Sequence, residues 1–183
     1  MCFLIIIASI LPICLGQIPS IGHECLTPEV VQNFNVAAYL GKWYEQEKYP
    51  VIFEIGGRCI TAEYSLKDDG TVRVFNKMIV GARTSSIEGS AKLNSTNGEA
   101  KLEVTFNVPF AVRSPYWVVS TDYTSYTVVW ACQELFGITG STAWILTREQ
   151  NPPDSLIEKA YNILKKYQIK TQFLTKTDQK NCS

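Results

Sequence analysis

Chemistry in a chain of this kind would have to come from its cysteines, its single histidine or a pair of carboxylates. Six cysteines and one histidine, His23, occur among 183 residues. Cys2 and Cys14 fall in an apolar leader, which leaves Cys25, Cys59, Cys132 and Cys182 in the body of the chain. These four are far apart, and no C-x-x-C pair or cysteine–histidine spacing suggests a metal site. An even number of separated cysteines in an oxidising compartment implies two bridges, and four cysteines allow three connectivities. Nucleophilic catalysis needs a thiolate or hydroxyl with a base beside it. Bridged cysteines and a histidine confined to an amino-terminal arm supply neither. No carboxylate pair stands out on the inward faces of the predicted strands. The expectation is a binding protein, not an enzyme, with no metal and no required cofactor.

Residues 1–16 read as a secretory signal. Phe3 to Leu15 is a largely apolar run, too short to span a bilayer, and Gly16 offers a cleavage point before Gln17. No Lys or Arg precedes the run. Residues 17–183 are then a single secreted domain, long enough to bury its own core. Basic and acidic side chains balance at 17 each. Such a chain has no basic field for phosphates, so nucleic acid is excluded as a partner. With 46% apolar and 11% aromatic residues it is expected to fold.

The elements that would position a site are mostly strands. Cys59 to Leu66 alternates, with Ile60, Ala62, Tyr64 and Leu66 on one face, and Asp69-Gly70 then marks a hairpin. Lys101 to Asn107 places Leu102, Val104 and Phe106 opposite Lys101, Glu103 and Thr105. Lys42–Tyr49, Thr71–Asn76, Ile87–Leu93, Tyr116–Ser120, Tyr126–Cys132 and Thr142–Thr147 make eight predicted strands. A helix follows Pro152-Pro153, with a capping box at Ser155 and Glu158 and an apolar stripe of Ile157, Ala160, Tyr161 and Leu164. Eight alternating antiparallel strands can make a two-sheet sandwich or a closed barrel, and pattern alone does not choose.

Three short stretches add a resemblance. Gly41-Lys42-Trp43 opens the first predicted strand, Thr121-Asp122-Tyr123 occupies the turn between the sixth and seventh, and Arg148 ends the eighth. In this order and these places they resemble the signature regions of the lipocalins. Longer stretches, among them CLTPEVVQNFNVAAYLGKWYEQEKYP, GRCITAEYSL, SPYWVVSTDYTSYTVVWAC and KTDQKNC, are similar to the apolipoprotein D branch of that family. Insect and crustacean bilin- and carotenoid-binding lipocalins share much of the pattern. The resemblance implies an all-β fold, an eight-stranded antiparallel up-and-down β-barrel with one C-terminal α-helix packed outside. It implies the bridges Cys25–Cys132 and Cys59–Cys182, and a glycan on Asn94 of Asn94-Ser95-Thr96. The extra cysteine that the branch carries just after the seventh strand is missing here. A physical reason supports the signature: Trp43 offers a broad plate on which a guanidinium gains ~0.5–2 kcal/mol by cation–π stacking. Gly41, Trp43, Thr121, Asp122, Tyr123 and Arg148 are therefore read as structural.

In such a barrel the ligand would be lined by Ala62, Tyr64, Leu66, Leu102, Val104, Phe106 and Trp144, with Tyr116 or Trp117 near the mouth. None of the inward faces read here carries Lys or Arg, so the expected ligand is a small hydrophobic molecule: a fatty acid, sterol or isoprenoid. A bilin or carotenoid chromophore is the alternative. The mouth loops are greasy: Ile52 and Phe53 in the first, Phe110 in the second, Leu135 and Phe136 in the third. Loops are normally polar. Such tips either dock on membranes or lipoprotein particles, or fold over the mouth.

Overall fold

The computed structural model describes residues 18–21, 24–51, 54–109, 113–135 and 138–182. Among them, a short strand β1 (Ile18–Ile21) precedes a barrel of eight strands. These are β2 (Gly41–Lys48), β3 (Gly57–Leu66), β4 (Val72–Val80), β5 (Arg83–Leu93), β6 (Lys101–Phe106), β7 (Arg113–Thr121), β8 (Tyr126–Leu135) and β9 (Ile138–Thr147). Each pairs antiparallel with the next, and β9 returns to pair with β2, closing the ring. Of the two arrangements that alternation permits, the chain adopts the barrel, which leaves no bare edge within the ring.

Alternation accounts for most of the wall. In β6, Leu102 and Val104 are buried in the barrel while Lys101, Glu103 and Thr105 retain exposure outside. Asp69 builds the expected β3–β4 turn by accepting from the Thr71 amide at 2.9 Å, with Gly70 at φ +78°. The next hairpin was not expected: β4 runs on to Val80 and turns through Gly81 (φ +60°) into β5 at Arg83. Thr84, Ser85 and Ser86 are polar on both faces, so periodicity hides this half of β5.

β2 departs from strict alternation in a way that matters below. Glu45 faces Leu146 and Glu47 faces Ile145, so Gln46 is a bulge. An extra residue shifts the phase of every side chain after it. Beyond the bulge β2 leaves β3, whose recorded pairing with it ends at Tyr44–Thr61. The carboxyl-terminal tail fills the gap. Its strand β10 (Thr175–Lys176) pairs with Glu47 and Lys48 of β2, and Asp178 accepts from the Cys59 amide at 2.7 Å.

Helix α1 (Val36–Tyr39) is a single turn capped by Asn35, whose side chain accepts from Ala38 N at 3.1 Å. Helix α2 (Asp154–Lys166) packs outside the barrel, burying Ala160 and Leu164 against Val128, Trp130, Ala143 and Ile145. The predicted capping box does not form. Pro153 occupies the N-cap position without a side-chain bond, so Asp154 opens the helix and Ser155 lies inside its first turn. Disulfides join Cys25 to Cys132 and Cys59 to Cys182, with Cα separations of 5.7 and 5.5 Å. No helix among the described residues is long and apolar enough to cross a membrane.

Candidate ligand-binding site

One end of the barrel is closed around a guanidinium. Arg148 follows β9 and lies 3.7 Å from the centre of the Trp43 ring, which is fully buried. Its Nη2 donates to the carbonyls of Ala38 and Leu40 at 3.1 and 2.8 Å, its Nη1 to Lys42 O at 2.9 Å, and its Nε to Tyr123 O at 2.9 Å. One planar side chain thus ties the end of β9 to α1, β2 and the β7–β8 turn. Gly41 takes φ +91°, and a Cβ there would come within 3.3 Å of Arg148 Nη1. Thr121 Oγ1 donates to Tyr126 O and accepts from Tyr123 N, at 2.7 and 2.9 Å. Asp122 Oδ1 accepts from the amides of Thr124, Ser125 and Tyr126 at 3.1, 2.7 and 3.1 Å. These hydrogen bonds hold the turn that presents the Tyr123 carbonyl to Arg148.

Above this plug three phenols form a floor. Tyr116 OH lies 2.9 Å from both Tyr39 OH and Tyr64 OH, and Tyr39 OH lies 3.2 Å from Thr127 Oγ1. Burial pushes the Tyr39 hydroxyl up to about 12 and raises those of Tyr64 and Tyr116 well above the ordinary phenol range. All three stay neutral, as partners of one another. Ring contacts run on upward, Tyr64 to Tyr116 at 6.2 Å and Tyr116 to Trp144 at 6.3 Å.

Of the anticipated lining, Tyr64, Leu102 and Val104 are buried in the interior cluster, with Ala62, Phe106, Tyr116 and Trp144 packed on it but still partly exposed. Two residues stand elsewhere. Leu66 keeps the inward register opposite Val72 but lies past the floor, in the closed-end hairpin, and is 62% exposed. Trp117 faces outward: Lys101 Nζ sits 5.3 Å from its ring, and its register partner Trp130 packs in the helix-side cluster. Strict alternation allows one inward residue of the pair, and Tyr116 takes that place.

Sequence reading missed a charged group inside the barrel. Because of the Gln46 bulge, both Glu45 (opposite Leu146) and Lys48 (opposite Trp144) point inward. Lys48 Nζ bridges Glu45 Oε1 at 2.8 Å and Glu54 of the β2–β3 loop, with all three side chains nearly buried. Thr177 of the tail donates to Glu45 Oε1 at 2.6 Å. This corrects the expectation of inward faces free of Lys and of paired carboxylates. Burial, with Glu45 nearby, pushes the Glu54 carboxyl up to about 7 despite Lys48. Arg58, near the mouth, donates to the carbonyl of Asn181 at 2.7 Å and so holds the tail.

A lipocalin-like domain model matches residues 34–179. The chain is a lipocalin. Apolipoprotein D of Macaca fascicularis is 40% identical over 161 residues, which cover 87% of this chain and 84% of that one. The Lazarillo protein of Schistocerca americana is 34% identical over 164 residues, 85% and 74% of the two chains. Among solved structures, insecticyanin from the tobacco hornworm Manduca sexta superposes with a TM-score of 0.78 at 24% identity, covering 89% of each chain. That last likeness is one of fold. In this lipocalin the predicted rim residues Ile52, Phe53, Phe110 and Phe136, and the side chain of Leu135, lie outside the described residues. Their described loop neighbours Ile55 and Val108 are 73% and 43% exposed. Asn94 is exposed in the β5–β6 loop at the closed end.

Proposed function

We propose that this lipocalin is a secreted carrier that holds one small hydrophobic molecule in its barrel and performs no reaction on it. Lipocalins with apolipoprotein D homologues are small-molecule binders, and the finer reading rests on one observation. Phe106, Tyr116 and Trp144 face the inside of a barrel plugged at its base, yet each retains accessible surface. Aromatic side chains that point inward and remain accessible line space, and an aromatic, largely apolar wall suits the hydrocarbon part of a fatty acid, sterol or isoprenoid. Ala62, Tyr64, Leu102 and Val104 complete the proposed lining. Two bridges and an exposed Asn94 sequon suit an extracellular protein carrying a glycan there.

A second reading, a bilin or carotenoid chromophore in the same space, rests on the resemblance to pigment-binding lipocalins. Extracting the natively purified protein with organic solvent and identifying the bound molecule by mass spectrometry tests both. An apolar molecule at about one per chain supports the carrier, and a visible absorption band selects the pigment. A folded chain that yields no ligand and takes up none sinks both.

The rim is proposed to dock on membranes or lipoprotein particles during transfer, since exposed Ile55 and Val108 continue the greasy loops. Replacing Ile52, Phe53 and Phe136 with serine is expected to abolish flotation with liposomes. Unchanged flotation would instead make these residues a cover for the mouth.

A further inference from the structure

The polar atoms inside the open half of the barrel are unevenly matched. Lys48 is the ion-pair partner of both Glu45 and Glu54, so two carboxylates share one ammonium. Glu45 is also fixed by Thr177, whereas the hydrogen bond recorded for the Glu54 carboxylate is the one from Lys48. Two further groups on the inner wall lack a partner. Thr142, 2% exposed, shares the inward face of β9 with Trp144, and its Oγ1 has no hydrogen-bond partner. Asn76 pairs in register with inward-facing Ala62, shares that face with Val74, and its buried Oδ1 is likewise unpaired. Buried polar atoms are nearly always satisfied, so each orphan calls for a partner that arrives from elsewhere.

These groups agree in what they lack. An amide oxygen and a carboxylate only accept, and a hydroxyl can accept. The collar has surplus acceptors and one uncompensated negative charge. We propose that Glu45, Lys48, Glu54, Asn76 and Thr142 form a head-group subsite that selects an amphiphile whose polar end donates hydrogen bonds, a primary ammonium ahead of a hydroxyl, and disfavours a carboxylate. The assignment rests on the carrier reading, with the apolar chain lying against Tyr116 and Trp144. An ammonium supplies three N–H donors and the missing positive charge. A hydroxyl supplies one donor. A carboxylate would bring a third negative charge to a single lysine and leave Asn76 Oδ1 unpaired.

The test uses the delipidated mature protein at pH 8, titrated with dodecylamine, dodecanol and dodecanoic acid and followed by tryptophan fluorescence. Dodecylamine is expected to bind about tenfold tighter than dodecanoic acid, with dodecanol between them. Glu54→Gln is expected to remove most of the amine-over-acid preference. Thr142→Val, which needs no rearrangement of the ion pair, is expected to weaken the amine and the alcohol several-fold and leave the acid unchanged. An acid that binds as tightly as the amine, or a preference unmoved in both variants, overturns the head-group assignment and leaves the carrier standing. Failure of all three molecules to bind folded protein overturns the carrier reading as well.

Discussion

The two ends of the barrel handle polar groups in opposite ways. At the closed end the guanidinium of Arg148 spreads its donors over carbonyls of Ala38, Leu40, Lys42 and Tyr123, and the Asp122 carboxylate is filled by turn amides. In the open half two carboxylates compete for Lys48, and Thr142 and Asn76 present unpaired oxygens. A closed, satisfied network serves stability, whereas an unsatisfied one costs free energy until a partner arrives. The contrast separates what holds this lipocalin shut from the proposed head-group subsite.

The comparison can be broken by substitutions on either side. Trp43→Ala removes a fully buried indole and the plate beneath Arg148, and is expected to destabilise by about 3–5 kcal/mol in chemical denaturation. Cys182→Ser frees the tail and opens a loop of sequence separation 123; a loss of about 2–5 kcal/mol is expected by the same measurement.

Glu54 brings in pH. The folded chain keeps its proton up to about 7, while the unfolded chain releases it in the ordinary carboxylate range near 4.5. Between those values the folded state binds more protons, so this group's contribution is complete below the lower value and is lost as pH rises through the upper. Glu54→Gln is expected to flatten the fall in unfolding free energy between pH 5 and pH 7.5, on the order of 1–3 kcal/mol by chemical denaturation at each pH. Carboxylates common to both proteins cancel in the difference. An identical pH profile for the two would remove the uncompensated charge from the account.

The smallest effect sharpens the contrast most. Thr142→Val deletes a buried hydroxyl that has no partner and keeps the shape, so stability is expected to stay within about 1 kcal/mol or rise. A hydroxyl deletion that costs as much as one at the plug would mean Thr142 is structural.

Much of the barrel was legible because β3 and β6 alternate and turns such as Asp69-Gly70 and Thr121-Asp122-Tyr123 punctuate the strands. The plug was legible too, since Gly41 to Trp43, Thr121 to Tyr123 and Arg148 stand in the order and places that resemble the lipocalin signature regions. The collar was not. Glu45 and Lys48 are three residues apart, which on a regular strand means opposite faces, and only the Gln46 bulge brings them to the same one. Glu54 reaches them from a loop, and Thr177 from a tail that periodicity does not place. Leu66 and Trp117 failed for a related reason: alternation tells sides of a sheet apart, but it does not say where the enclosed space begins or which of two adjacent aromatics enters it.

The tail is built into the wall between β2 and β3. Within the ring each strand pairs with the next, yet in the open half Thr175 and Lys176 pair with β2 and the Asp178 carbonyl accepts from the Cys59 amide of β3, the tail being pinned there by the Cys59–Cys182 bridge. Carboxyl-terminal residues thus form part of the wall in the open half, while the plug around Arg148 is built without them.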